Sequence, residues 1–176
     1  MEEFKIKAGS HYCKLHYNPI IAPNGIEFTF RFSDRSMYYS KKGTYLRGAV
    51  NKLCGLSFDP IGRNSARLGW RYNYDTDFFE VIAYFHINGK FYYNEKNLVN
   101  IKRGETWTCH IKRTNISGKD QIGITLRSQL GNFELLDYIP TPFKYSILGY
   151  KQLPYFGGSE TLIHDIYLEL GVDKIS

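Results

Sequence analysis

Asp75, Asp77 and Glu80 fall within one short stretch, Asp-Thr-Asp-Phe-Phe-Glu. Two carboxyl groups held about 5 Å apart can cleave a glycosidic bond with retention, one as nucleophile and the other as general acid. In extended chain, however, Glu80 needs a bulge to share a face with either aspartate. Asp75 and Asp77 also flank Thr76 in what reads as a hairpin turn, so a solvated acidic turn is the simpler account. His11, Cys13 and His16 have the residue types of a metal site. On a strand, 11 and 13 share one face and 16 takes the other, and no CxxC pair or HExxH helix accompanies them. Cys109 and His110 are adjacent, which sends a thiol and its would-be base to opposite sides of a strand. His164 has the parity of Ile166 and Leu168 and reads as a hydrogen-bonded structural histidine. Asp165 would supply one oxygen to calcium, yet no cluster of oxygen ligands surrounds it in the sequence. Neither a metal nor a cofactor is expected.

A further candidate is a surface rather than a motif. Trp70, Tyr72 and Tyr74 alternate with Arg71, Asn73 and Asp75, and Phe79, Val81, Ala83, Phe85 and Ile87 alternate with Glu80, Ile82, Tyr84 and His86. If the Trp70 and Val81 stripes meet in a core, then Arg71, Asn73, Glu80, Tyr84 and His86 share the outer side. Planar rings, a guanidinium and amides suit a sugar, whose C–H face stacks on aromatics while its hydroxyls take polar partners.

These side chains must be positioned by strands. Period-two alternation runs through Ile26, Phe28, Phe30 and Phe32, through Trp107, Cys109 and Ile111, through Ile122, Ile124 and Leu126, and through Ile166, Leu168 and Leu170. Further strands are expected at 3–8, 11–17, 46–58, 66–74, 133–139 and 145–153. The almost continuously apolar segment from Phe78 to Ile87 reads as a central strand covered on both sides. Turn signals separate these runs at Asp59-Pro60-Ile61-Gly62, Asn88-Gly89, Arg103-Gly104, Ser117-Gly118, Gly131-Asn132 and Gly157-Gly158. No window of helical length shows a 3.6 period. Ten to twelve short strands without helices predict a two-sheet, all-β sandwich over a single domain, 1–176.

The totals agree. The chain has 176 residues, 43% apolar and 16% aromatic, with 23% charged, which is a composition that buries a core. The net charge of +6 favours anionic partners. Its densest basic pairs, Lys41-Lys42, Lys102-Arg103 and Lys112-Arg113, never grow into a run, so nucleic acid is not expected. Cys13, Cys54 and Cys109 are an odd, widely spaced set, and MEEFKIKAGSHY has no apolar leader core. Synthesis in the cytoplasm without a signal peptide is the expectation. No apolar run approaches the ~20 residues that cross a bilayer.

From Gly149 to Leu170 the chain reads GYKQLPYFGGSETLIHDIYLEL. This resembles the C-terminal strand pair of concanavalin A-like, lectin/glucanase-type jelly rolls, in which a Tyr-Phe-Gly-Gly turn leads to a His-Asp-Ile closing strand. The Asn88-Gly89 hairpin and the Arg103-Gly104-Glu105 turn before Trp107 resemble the same superfamily, so the likeness covers roughly residues 66–170. It implies an antiparallel jelly-roll β-sandwich whose last strand returns beside an early one such as 3–8. Laminarinase-type hydrolases of this fold carry a Glu-x-Asp-x-x-Glu strand, and here Asp75 replaces the first glutamate with a shorter side chain. The resemblance therefore implies non-catalytic recognition or assembly. The protein is expected to be either a glycan-binding module using Arg71, Asn73, Glu80, Tyr84 and His86, or a structural (decoration) protein of a bacteriophage particle. The latter accommodates unpaired cysteines and the lack of an export signal, and either could involve a homo-oligomer. The alternative is a polysaccharide-degrading hydrolase or lyase working through Asp75, Asp77 and Glu80.

Overall fold

The structure, a computed structural model, describes residues 1–13, 17–21, 23–38, 50–141, 147–157 and 162–175. Among these the alternating runs become thirteen strands: β1 (Glu2–Ile6), β2 (Tyr17–Ile21), β3 (Gly25–Arg31), β4 (Asn51–Ser57), β5 (Ser65–Asn73), β6 (Phe78–Ile87), β7 (Lys90–Tyr92), β8 (Val99–Ile101), β9 (Thr106–Ile116), β10 (Lys119–Ser128), β11 (Phe133–Pro140), β12 (Leu148–Gln152) and β13 (Ile166–Ile175). A single 3-10 turn, Asp34–Ser36, is the helical element described. Two antiparallel layers result. The six-stranded layer has the order β1-β13-β3-β9-β10-β11, and the seven-stranded layer runs β2-β12-β4-β5-β6-β7 with β8 also paired to β6. The chain alternates between layers from β1 to β4, crosses again from β8 to β9, and alternates once more from β11 to β13, which enters between β1 and β3. This is an all-β, two-sheet, antiparallel sandwich of the jelly-roll kind.

Alternation decides what lies between the layers. Phe28 and Phe30 of β3 and Phe32 just beyond it are fully buried, as are Trp70 of β5 and Phe79 of β6. The Phe32 ring stacks on Phe79 at 4.3 Å and lies 5.2 Å from Trp70, which joins the two layers through aromatic contact. Trp107, Cys109 and Ile111 of β9 and Ile122, Ile124 and Leu126 of β10 extend the same core. Each large side chain removed from water in this way contributes roughly 1.5–3 kcal/mol. On the reverse side of β3, Arg31 pairs with Glu169 of β13.

One expectation about strands needs correction. The run 11–17 is not one strand: Tyr12 and Cys13 make isolated bridges to Tyr155 and Ile6, and β2 begins at Tyr17. Residues 46–49 of the expected 46–58 strand, and His16, Lys41, Lys42 and Gly158, lie outside the described residues. The β6–β7 connection forms as read, with Asn88 and Gly89 at φ 52° and 81°, the left-handed pair that a two-residue hairpin of this twist demands.

One irregularity matters for function. Between Lys52 and Gly55 the register of β4 on β5 slips by one residue, so Leu53 and Cys54 both enter the core. This bulge returns Lys52 to the outer side opposite Gly69.

Candidate functional site

Register places the candidate side chains. Ser65 stands opposite His86, Arg67 opposite Tyr84, Gly69 opposite Ile82 and Arg71 opposite Glu80, with Asn73 two residues beyond Arg71. Arg71, Asn73, Glu80, Tyr84 and His86 therefore share the outer face of the seven-stranded layer. Much of that face is covered, since Arg71 and Glu80 are 8% exposed and Tyr84 7%. The cover is the chain between β7 and β8. Tyr93 and Leu98 pack on a small apolar cluster of Val50, Ile82 and Tyr84, which explains why β6 is buried on both sides.

The face divides into two halves. In the first, Arg71 donates from Nε to Glu80 Oε2 at 2.5 Å and from its two terminal nitrogens to the Glu95 carboxylate at 3.1 and 2.9 Å. Asn73 Nδ2 donates to Glu80 Oε1 at 2.6 Å. Both Glu80 oxygens are thus engaged, and Glu95 ties the covering segment to the sheet. Asp77 is held elsewhere: the Tyr72 hydroxyl and then the Arg103 guanidinium keep its carboxyl below the ordinary value. Tyr72 belongs to the core-facing stripe, so Asp77 and Glu80 are not brought onto one face. The Asp75 backbone N–H, with that of Thr76, donates to Asn73 Oδ1, which closes the acidic turn.

The second half gathers rings and basic groups. Tyr84, Phe91 and Tyr93 have ring planes within 15° of one another, and each centroid lies 5.8–6.3 Å from the other two. Three near-equal separations describe a triangle, not a single column. Lys52 Nζ sits 4.3 Å from the Tyr84 ring centroid, a cation–π contact, while donating to the Val50 carbonyl at 2.7 Å. Burial first, and the Arg67 charge second, bring the Lys52 amine down to about 8. Arg67 donates to the Leu153 carbonyl at 3.0 Å, with its guanidinium 6.0 Å from the Tyr155 ring. His86 Nδ1 lies 3.3 Å from the Ser65 hydroxyl. Burial, followed by Arg67 and Lys52, lowers its pKa, so at neutral pH it is an uncharged donor and acceptor. Burial raises the Tyr84 phenol.

Sequence parity reached Tyr84 and His86 but missed Lys52, Arg67, Phe91, Tyr93 and Tyr155. Arg67 was open to the same reasoning, because it has the parity of Arg71. Phe91 and Tyr93 alternate just after the Asn88-Gly89 turn. Lys52 carried no such signal, because the bulge beyond it breaks the alternation.

The remaining candidates are occupied in other ways. His11 Nδ1 lies 2.7 Å from the Phe156 carbonyl, and its ring stacks near Tyr155, while Cys13 is buried. His164 Nε2 is 3.0 Å from the Met37 carbonyl, and Asp165 pairs with Lys5 and accepts from the Ala8 backbone N–H. Among the described residues no three or more of His, Cys, Asp and Glu gather in a way that could hold a metal ion. No helix among them is long and apolar enough to cross a membrane.

No protein-family model matches the chain, and no curated protein does either. Among solved structures it is similar to a xylan β-1,4-xylosidase from Bacillus halodurans C-125, at 6% identity and a TM-score of 0.48. The likeness covers 90% of this chain and 28% of that one, so the chain spans little more than a quarter of the enzyme's length. A likeness at that level says nothing of what this chain binds.

Proposed function

We propose that the protein is a concanavalin-like recognition module that binds a glycan, without cleaving it, on the outer face of its seven-stranded layer. The observation that carries this reading is the triangle of parallel rings, Tyr84, Phe91 and Tyr93, beside Lys52 and His86. Phe91 is 62% exposed, an unusual position for a phenylalanine held in register on a sheet face. A pyranose lays its C–H face on exposed Phe91 and half-buried Tyr93, with buried Tyr84 supporting them, and its hydroxyls then reach the His86 imidazole and the Lys52 ammonium. Recognition sites of this type combine an apolar lining with a few well-placed polar groups.

What supports a non-catalytic role is the state of Glu80. To act as nucleophile or general acid it would have to leave Arg71 and Asn73, and the Asp77 carboxyl is held away from it by Tyr72 and Arg103. The polysaccharide-degrading alternative predicts cleavage that Glu80→Gln abolishes. The test of the main reading is calorimetry against neutral and acidic oligosaccharides at millimolar concentration. Phe91→Ala and Tyr93→Ala are each expected to weaken binding about tenfold, or 1.4 kcal/mol. Wild-type protein that binds no glycan at that concentration removes the proposal.

One observation favours assembly as a second reading. Ile21 and Leu148 face each other across the β2–β12 pairing, both exposed, with exposed Ile147 adjacent. An apolar edge of this kind suits a contact with another copy or with a bacteriophage particle. Sedimentation that stays monomeric at high micromolar concentration, and is unchanged by Leu148→Asp, would count against self-association.

A further inference from the structure

The opposite layer carries a second concavity. On the outer face of the six-stranded sheet, Gly123 of β10 stands between Lys112 of β9 and Tyr138 of β11, Thr125 stands opposite His110, and Arg127 lies between Thr108 and Phe133. A bulge between Ile124 and Thr125 shifts β11 relative to β10. The Tyr138 ring occupies the space above Gly123, with Cδ1 2.6 Å from where a Cβ would stand. Tyr138, Phe133, Lys112 and Arg127 then border an open groove of about 480 Å³.

The groove has one sign of charge. Lys112 and Arg127 are both exposed, and among the described residues neither makes an ion pair. His110 is held by Glu27 at 3.0 Å, and no carboxylate side chain is among the described residues lining the groove. Of the acids nearby, Asp120 pairs with Arg113, Asp137 accepts from the Tyr138 backbone N–H, and Glu134, beside Phe133, is exposed on the edge strand β11. A surface that leaves two cations unpaired beside two exposed rings is complementary to a ligand with both negative charge and an apolar face.

Spacing narrows the ligand further. Lys112 is level with Gly123, and Arg127 lies four residues along β10, about 13 Å at the rise of a strand. Cations rooted this far apart on the backbone suit an extended anion better than a single small one. A short run of acidic sugars meets this, with carboxylates of non-adjacent sugars at the two charges and a pyranose face against Tyr138.

We infer that the groove between β9, β10 and β11 is a second binding site, selective for a carboxylate-bearing oligosaccharide. It uses none of the residues on the seven-stranded face and stands or falls separately from the glycan reading given there. Its test is titration with an oligogalacturonate, with a neutral xylo-oligosaccharide and poly-glutamate as controls. Oligogalacturonate is expected to bind, with monomeric galacturonate and both controls at least tenfold weaker. Lys112→Ala/Arg127→Ala and Tyr138→Ala should each reduce oligogalacturonate affinity tenfold or more, while Phe91→Ala leaves it unchanged. These side chains are exposed or partly so, and an unaltered near-ultraviolet spectrum checks that the variants fold. The inference is overturned if wild-type protein ignores oligogalacturonate, if poly-glutamate binds as tightly, or if the double variant binds like wild type. Loss on Phe91→Ala with retention in the double variant would move the acidic ligand to the other face and overturn it equally.

Discussion

Arg71 and Glu80 face each other across β5 and β6 with their side chains only one-tenth exposed, and the two terminal nitrogens of the guanidinium donate to Glu95. A buried ion pair owes its worth to completeness, because either charge left alone must stay desolvated without compensation. Glu80→Ala and Arg71→Ala are each expected to cost about 3–5 kcal/mol in urea unfolding. Replacing both with apolar residues of similar size, as in Arg71→Met/Glu80→Leu, should recover most of that loss. Single variants within about 1 kcal/mol of wild type would show that water reaches the pair.

Lys52 predicts a pH dependence of opposite sense to the usual paired lysine. Its folded-state pKa is brought down to about 8 from 10.5. Between those values the unfolded chain holds the proton more tightly than the folded one, so this residue makes stability rise with pH across the window. Below about 8 the whole penalty applies, and above 10.5 none remains. Lys52→Met should therefore be more stable than wild type at neutral pH, on the order of 2 kcal/mol, with the difference closing toward pH 10.5. Urea midpoints of the two proteins across that range decide it, and a gap that does not vary with pH would contradict it. A lysine kept at such a cost is consistent with a binding role, since functional sites commonly sacrifice stability.

What could be read in advance follows from which feature the physics encodes locally. Phe28, Phe30 and Phe32 signalled their burial because alternation is a property of neighbouring residues, and the same rule grouped Arg71, Tyr84 and His86 on one face. That β6 is covered on both sides was legible in its apolar run, but the segment that covers it was not, because Glu95 reaches Arg71 from a loop with no periodicity of its own. Lys52 was hidden by the bulge at Leu53 and Cys54, since a one-residue slip reverses every later assignment. The groove over Gly123 was hidden twice. A glycine inside a strand reads as a weakness, and the bulge opposite Ile124 conceals which residue of β11 it meets. The carboxylates fit the simpler of their two readings: Asp75, Asp77 and Glu80 are close in sequence, but strand geometry sends Asp77 toward Tyr72 and Glu80 to the outer face.

The cysteines should be chemically silent in the native protein. Cys54 and Cys109 are fully buried, and burial pushes the Cys54 thiol up to about 12 and raises Cys109 as well. Because the thiolate is the reactive species, a disulfide reagent at pH 8 is expected to modify neither until urea opens the fold. The same shifts lower stability in alkali: unfolded thiols release their protons near the ordinary value of 9, while the folded chain retains its own to about 12 at Cys54. Rapid labelling of Cys54 or Cys109 without denaturant would mean that the layers part locally.

Gly123 offers a test in which the sign of an effect reverses. In the middle of a strand, valine is ordinarily better than glycine by up to about 1 kcal/mol, because it is stiffer and suits a pleated surface. Here the space is taken by Tyr138, so Gly123→Val must displace the ring and is expected to cost about 1–3 kcal/mol, the range for overpacking. In a Tyr138→Ala background that obstacle is gone, and the same substitution should become neutral or stabilising. The coupling between the two sites, measured from four urea curves, is then of the order of 1–3 kcal/mol. If Gly123→Val costs the same in both backgrounds, the ring does not rest above the glycine, and the wall it gives the basic groove is lost with it.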